Sequence, residues 1–367
     1  MRNGVIKMYN QRINAETVVV SHHIRYNTLA EMTNYSFAGS NAESVNIFID
    51  LYQICLKLFR SDIDFMGKFS LASYIMNMCA HYRWFYKKYY GITTKIYLIY
   101  TNDIMKYNLT DVKEYNQKNN HLFTYSLGVS KYVADNTDIL NLLTKYFKDI
   151  YFVQSPYEPM AMISSIIDDN VLEGNTNPNI IISTSRLLFQ IPPFSPSGVK
   201  TVVFYHQYTM DGNINAHIID SQNALLKYFE LGRLKFNPLS QNINPELLSV
   251  IITLGGYTQR CLRNLVRTNT IIKILYKAIG DGIIYNSYTT DIDLIYQLFR
   301  AKLPVTVSKE TIENRFKALD LIYNKNIYKF SVYGKNKDWN VNLYNPTEIQ
   351  RLNQTKFKNY PIDLERL

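Results

Sequence analysis

The alternation of apolar strands with helical segments is the feature of this sequence that most restricts its fold. Residues 45–50 predict a buried strand that ends in an acid, residues 69–90 a long helix, and residues 95–100 a second buried strand. Strand, helix, strand in this order is typical of a parallel sheet, because parallel neighbours need a crossover connection. The sequence therefore predicts an α/β fold with a mainly parallel central sheet flanked by helices.

The rest of the chain divides by pattern into four regions. Residues 1–43 are polar and predict an N-terminal arm with one strand candidate at 17–20, and residues 44–240 hold the α/β pattern, with further strands at 150–153, 179–183 and 199–205. Residues 241–303 predict a helical subdomain behind the sheet, with helices at 245–254, 259–266, 270–279 and 291–302. Residues 304–367 form a C-terminal extension with a helix at 309–322 and a strand at 327–332.

The charge and the cysteines limit the class of protein. A net charge of +10 favours a polyanionic partner, because Lys and Arg release condensed counterions when they neutralise phosphates; solubility alone is the alternative. Three separated cysteines in apolar patterns indicate reduced core thiols rather than disulfides. No apolar run approaches the roughly 20 residues that cross a bilayer, and the first residues lack a signal-peptide stretch. We expect a cytoplasmic protein without membrane contact.

Three acids follow or face predicted strand ends: Asp50, Asp103 and Glu158. Open α/β sheets bind ligands in the crevice beyond the carboxyl ends of their strands. Three carboxylates brought together there could hold Mg²⁺ or Mn²⁺, which prefer oxygen ligands. The alternative is that each acid caps the following helix or meets solvent.

The order of these motifs resembles the phage-type 5′→3′ exonucleases and flap endonucleases of the PIN-like nuclease fold. In that family a Glu opens a Glu-Ala-Asp-Asp motif, and here the segment reads Glu158-Pro159-Met160-Ala161. The next family motif is approximately Ser-Gly-Asp-Lys-Asp-Leu-x-Gln, and here it reads Ser183-Thr184-Ser185-Arg186-Leu187-Leu188-Phe189-Gln190. A later Gly-Asp, at the start of a DNA-binding helix-three-turn-helix, is here Gly255-Gly256. The resemblance covers roughly residues 45–300 and depends on the order of the motifs.

The departures from the family's pattern remove acids. Met160, Ser185, Leu187 and Gly256 stand where the family has carboxylates. Two-metal phosphodiester hydrolysis needs two cations about 4 Å apart with several carboxylates to hold them. The resemblance therefore implies an inactive nuclease that requires no cofactor, with room for one weakly bound Mg²⁺ or Mn²⁺ at the three remaining acids.

DNA binding does not need those acids. Arg260, Arg263 and Arg267 have the spacing of one helical face, and Lys273 and Lys277 follow them, in the segment that resembles the family's duplex-gripping helices. A second set, Arg83, Lys87 and Lys88, is interleaved with aromatic residues that could stack on a strand. The alternatives are solvated surface charges in the first set and the core face of a helix in the second.

These observations predict a flap-endonuclease-like protein without catalysis, acting as a DNA-binding or scaffold subunit of a viral, phage-type replication, transcription or virion complex. Double-stranded or branched DNA is the expected partner, and other subunits of that complex are further candidates. The alternatives are an active metal-dependent 5′ nuclease, in which Asp168, Asp169 or Asp220 replaces the lost ligands, and a purely protein-binding subunit.

Overall fold

A six-stranded sheet with the order β3-β2-β1-β4-β5-β6 is the centre of the protein. The computed structural model describes residues 24, 26–37, 42–51, 54, 68–100, 139–154, 159–208, 214–235, 237–257, 262–328, 345–358, 361–364 and 366. The strands are β1 (Ser44–Asp50), β2 (Thr93–Tyr100), β3 (Ile150–Gln154), β4 (Asn179–Ser183), β5 (Thr201–Tyr208) and β6 (Ile214–Ile219). All neighbours pair in parallel except β5 and β6, which are antiparallel. The predicted α/β class with a mainly parallel sheet is confirmed.

Helices cover both faces of the sheet, since alternate residues of the central strands belong to different hydrophobic cores. Phe48 and Ile181 lie in one core, whereas Ile47 and Ile182 lie in the other. β1 and β4 are therefore apolar on both sides, as buried parallel strands are. The chain forms three layers, with helices on each side of the sheet.

The helices occur in chain order on these two faces. They are α1 (Tyr26–Phe37), α2 (Lys68–Tyr90), α3 (Pro159–Leu172), α4 (Ala224–Leu231), α5 (Leu248–Gly255), α6 (Thr268–Gly280), α7 (Ile292–Phe299), α8 (Lys309–Leu319), α9 (Leu321–Tyr328) and α10 (Pro346–Thr355). Helices α1, α2 and α10 contribute to the core that contains Ile47, and α3 to α9 lie on the other face. Within the described residues, no helix is both long enough and apolar enough to cross a bilayer.

One hydrophobic core crosses the predicted region boundaries at residues 240 and 303. Ile181 of the sheet, Ile271 of α6 and Phe316 of α8 are all fully buried in it. The helices behind the sheet therefore pack directly on the α/β layer, and the start of the C-terminal extension completes the same core.

A row of buried polar side chains favours one register at the amino ends of three strands. Asn46 Nδ2 donates to Asn179 Oδ1 at 2.9 Å, and Asn179 Nδ2 donates to Thr201 Oγ1 at 3.2 Å. These residues are direct partners across β1, β4 and β5. Buried polar groups require hydrogen bonds, so a slip of one strand would leave amides unpaired.

Most predicted elements are present, but several features differ from prediction. Helix α1 lies in the predicted arm and buries Leu29, and strand β6 was not predicted. The predicted helix over 309–322 breaks at Asp320, and Ile327 lies in α9 rather than at the start of a strand. Tyr328 also lies in α9, whereas residues 329–332 of that predicted strand, and the strand candidate at 17–20, lie outside the described residues.

Candidate functional site

The strand order changes direction between β1 and β4, and this defines the candidate site. From β1 the chain proceeds to β2 and β3 on one side, whereas β4 and β5 lie on the other. Connections that leave the carboxyl ends of β1 and β4 therefore diverge, and such a switch point opens a crevice for ligands. Asp50 and Ser183 are the last residues of these two strands.

A hydrogen-bonded pair joins the carboxyl ends of these two strands. Ser183 Oγ donates to Asp50 Oδ2 at 2.8 Å and accepts from the backbone N–H of Ser185 at 3.0 Å. Asp50 is 1% exposed and Ser183 fully buried. The buried carboxylate thus has a hydrogen-bond donor within the protein, as buried polar groups usually do.

The hydrogen bonds continue from Ser185 to the turn after α5. Ser185 Oγ accepts from the N–H of Leu187 at 3.3 Å and shares a hydrogen bond of 3.2 Å with Tyr257 Oη. Tyr257 Oη also accepts from the N–H of Arg186 at 3.1 Å. Together, Asp50, Ser183, Ser185 and Tyr257 form what we call the hydroxyl chain, which joins β1, β4 and the turn after α5.

Two positions where the resembled family has carboxylates are apolar and buried here. Met160 is 2% exposed and Leu187 fully buried, and both belong to the core on that face of the sheet. A divalent cation desolvated against such side chains would be strongly disfavoured. These two positions therefore contribute packing, and offer no metal ligand.

The tyrosines beside the site remain protonated at neutral pH. Burial, together with the neighbouring Tyr257, raises the pKa of Tyr205 to about 12, although Arg186 acts in the opposite direction. Burial also raises the pKa of Tyr228 above its usual range. Neither phenol is suited to act as a general base near pH 7.

Of the three predicted metal-binding acids, only Asp50 lies within the described residues. Asp103 and Glu158 lie outside them, so their convergence with Asp50 stays a prediction. β2 ends three residues before Asp103, at the same edge of the sheet as β1. The part of the chain that the structure describes contains no group of three or more His, Cys, Asp or Glu residues that could hold a metal ion.

The prediction that Arg260, Arg263 and Arg267 share one helical face is wrong. Residues 263 and 264 are not helical, and Arg267 is the residue that precedes the first turn of α6. Gly256 ends α5 with a φ of 76°, and Tyr257 pairs with Leu262 in an antiparallel bridge. The described part of the predicted helix, residues 262–266, is therefore not helical. Arg260 lies outside the described residues, and Arg263 and Arg267 are exposed.

The two lysines that follow lie as predicted on a helix. Lys273 and Lys277 are exposed on α6, one turn apart, while Ile271 and Leu275 of the same helix are buried. Their charges are available to a partner, and whether that partner is DNA stays a prediction.

The second basic set lies at the opposite edge of the sheet. The C-terminal end of α2 leads into the amino end of β2, so Lys87 and Lys88 lie far from the crevice at the carboxyl ends. Both lysines are exposed, and Lys88 Nζ lies 4.3 Å from the centre of the Trp84 ring. Arg83 Nη1 donates to the carbonyl oxygen of Lys148 at 2.7 Å.

The aromatic residues of this set are divided between core and surface. Tyr82, Phe85 and Tyr86 are at most 1% exposed, whereas Tyr89 is 55% exposed. His81 adds no charge near pH 7, because burial lowers its pKa to about 4. Most of these rings therefore form the packing face of α2, and Trp84 and Tyr89 are left beside the lysines.

Tyr257, Tyr228 and Arg186 are site residues that were not predicted from the sequence. Their one signal is local: Tyr257 directly follows Gly256, and Arg186 directly follows the two serines at the end of β4. Tyr228 carries no such signal, because only the folded chain brings α4 against the end of β4.

Comparison with known proteins does not assign a family. No model of a known protein family matches the chain, and no curated protein is significantly similar to it.

Proposed function

We propose that this chain is a non-catalytic protein of the flap-endonuclease type that binds DNA as a subunit of a viral, phage-type replication, transcription or virion complex. The hydroxyl chain is the observation that carries this proposal. It links Ser183, Ser185 and Tyr257 to Asp50 through hydrogen bonds, and Ser185 stands where the resembled family has a carboxylate.

The chemistry of these groups favours binding over hydrolysis. Serine and tyrosine hydroxyls are neutral, so they cannot offset the mutual repulsion of two divalent cations. Ser183 already donates a hydrogen bond to the one described carboxylate at this switch point. A weak site for a single Mg²⁺ or Mn²⁺ at Asp50, Asp103 and Glu158 remains part of the proposal, without a catalytic role.

Exposed cations near the crevice support DNA as the partner. Gly256 packs against the backbone of Arg263, and Tyr257 links the same turn to the end of β4. Arg263 and Arg267 are exposed there. Guanidinium groups present permanently charged forks to phosphate oxygens, so these residues fit a phosphate backbone.

The positions of the acids that could replace the lost metal ligands also favour a non-catalytic protein. α3 runs from the carboxyl edge of the sheet towards the start of β4. At the helical rise per residue, Asp168 and Asp169 lie roughly 14 Å from the first residue of α3. Asp168 is ion-paired with Lys325 at 2.6 Å. Asp220 follows β6, which runs antiparallel, and therefore lies near the amino edge. None of the three is placed to replace a ligand beside Asp50.

Binding and cleavage should be measured together on one labelled flapped duplex in Mg²⁺ or Mn²⁺. We expect the protein to bind the duplex with an affinity that falls steeply with salt, and to leave it intact. The control is Lys200→Gln, which removes an exposed charge at the amino edge of the sheet. Cleavage that Asp50→Ala abolishes would contradict the non-catalytic reading, and absence of any salt-dependent binding would favour a purely protein-binding subunit.

A further inference from the structure

Arg186 is held in a fixed position by aromatic rings and a glycine. Its guanidinium carbon lies 5.0 Å from the centre of the Tyr228 ring and 5.8 Å from that of Tyr257, and Nη1 donates to the carbonyl oxygen of Tyr228 at 3.3 Å. A Cβ at Gly232 would lie 2.0 Å from Nη1. The chain therefore leaves space for this group and restricts its motion.

The charge of this guanidinium lacks a counter-ion in the described part of the chain. The side chain is half-buried, and no carboxylate of the described residues forms an ion pair with it. A guanidinium has five N–H donors, and the Tyr228 carbonyl accepts from one of them. The partly buried charge and the remaining donors suit an anion from outside.

The neighbouring Tyr228 ring contributes no negative charge. Burial raises the pKa of Tyr228 above its usual range, so its phenol is neutral at physiological pH. Tyr228 and Tyr257 both lie close enough to stabilise the cation through their ring faces, and the neutral Tyr228 does not offset its charge. The positive charge of Arg186 is therefore available to an anionic ligand.

We propose that Arg186 is a phosphate-binding residue at the carboxyl edge of the sheet, which contacts the DNA backbone or another phosphate directly. The part of this proposal that concerns DNA rests on the proposed function. Arg186 directly follows Ser185, and its backbone N–H donates to Tyr257 Oη. The residue before Tyr257, Gly256, packs against the backbone of Arg263. A guanidinium here supplies positive charge to a phosphate without a metal ion.

The experiment compares Arg186→Gln, Arg186→Lys and Lys200→Gln with the wild type in a salt titration on one duplex. Loss of a charge-assisted contact should weaken binding by Arg186→Gln about tenfold and reduce the salt slope by about one unit. Arg186→Lys should retain the slope and bind more weakly than the wild type, because it lacks the planar fork. Lys200→Gln should retain both values.

A second arm separates DNA from free phosphate. Inorganic phosphate, compared with chloride at equal ionic strength, should raise the melting temperature of the wild type more than that of Arg186→Gln, because a ligand stabilises the state that binds it. If the wild type binds no DNA but this difference is present, the proposed function fails and a free-phosphate site remains. Wild-type DNA affinity and salt slope in both Arg186 variants would overturn the DNA contact, and an equal phosphate response would overturn the site itself.

Discussion

Replacement of Gly256 by Ala should destabilise the protein strongly, because two separate costs fall on this position. Gly256 has φ 76° and ψ 168°, a backbone conformation that is essentially restricted to glycine. A Cβ there would also lie 2.6 Å from the carbonyl carbon and oxygen of Arg263 and from the carbonyl oxygen of Leu262. These are backbone atoms, which cannot move aside as the end of a flexible side chain can.

The expected loss follows from the two costs. Strained backbone conformations cost on the order of 1–3 kcal/mol, and forced overlap in a packed region costs about 1–3 kcal/mol more. Gly256→Ala should therefore lower the free energy of unfolding by about 3 kcal/mol or more. The same strain applies to Gly256→Asp, so an acid cannot be restored at this position without rebuilding the turn.

Two other glycines separate these costs in equilibrium urea unfolding. Gly174 has a φ of 82° with no atom within 4 Å of a Cβ, and Gly280 has an equally open position without a positive φ. Gly174→Ala should show the conformational cost alone, and Gly280→Ala should cost little. A loss in Gly256→Ala no larger than that in Gly174→Ala would refute the packing argument.

Three further predictions test the core, the hydroxyl chain and the arginines that follow α5. Burial raises the pKa of Asp320 from 3.8 to about 6, so the folded state binds this proton more tightly than the unfolded chain and loses stability as pH rises from 4 to 6. Asp320→Asn should remove this pH dependence. In urea unfolding, its free energy of unfolding should exceed that of the wild type by up to about 3 kcal/mol above pH 6, and by little at pH 4. Equal gains at both pH values would refute this explanation. Tyr257→Phe removes an oxygen with two hydrogen-bond partners and should cost about 1–3 kcal/mol, and an unchanged unfolding midpoint would contradict the hydroxyl chain. Replacing Arg260, Arg263 and Arg267 by Ala should reduce the salt slope of DNA binding by about three units, and an unchanged slope would assign them to a protein partner or to solvent.

The sheet could be predicted because its strands carry their own signal. β1 and β4 are short apolar runs rich in β-branched residues, which favour buried parallel strands. β6 has a weaker pattern, since it contains Asn215 and His217 within six residues and depends on pairing with β5. Helix α1 was missed because its buried positions, such as Leu29 and Met32, are few in a polar segment.

The turn after α5 could not be predicted from residue spacing. The arginines have helical spacing, but the N–H groups of Leu265 and Val266 both donate to the carbonyl oxygen of Leu254. Together with the positive φ of Gly256, these contacts fold the chain back on α5. Tertiary hydrogen bonds thus override the local periodicity.

The candidate site was predicted in position but not in its bonding. Asp50 was correctly expected at the end of a buried strand, and Ser185 was recognised only as the replacement for an acid. Ser183 lies 133 residues from Asp50 in sequence, so the sequence offers no local sign that their side chains are bonded. The separation of Arg186 from its ring partner Tyr228 conceals that contact in the same way.

Single-turnover cleavage of a labelled flapped duplex in Mn²⁺, with the protein in excess over DNA and the bound fraction recorded in parallel, tests the central claim most directly. The non-catalytic account predicts that the duplex is bound and that the wild type cuts it no faster than Asp50→Ala. A wild-type rate well above that of Asp50→Ala, at equal bound fraction, would contradict it.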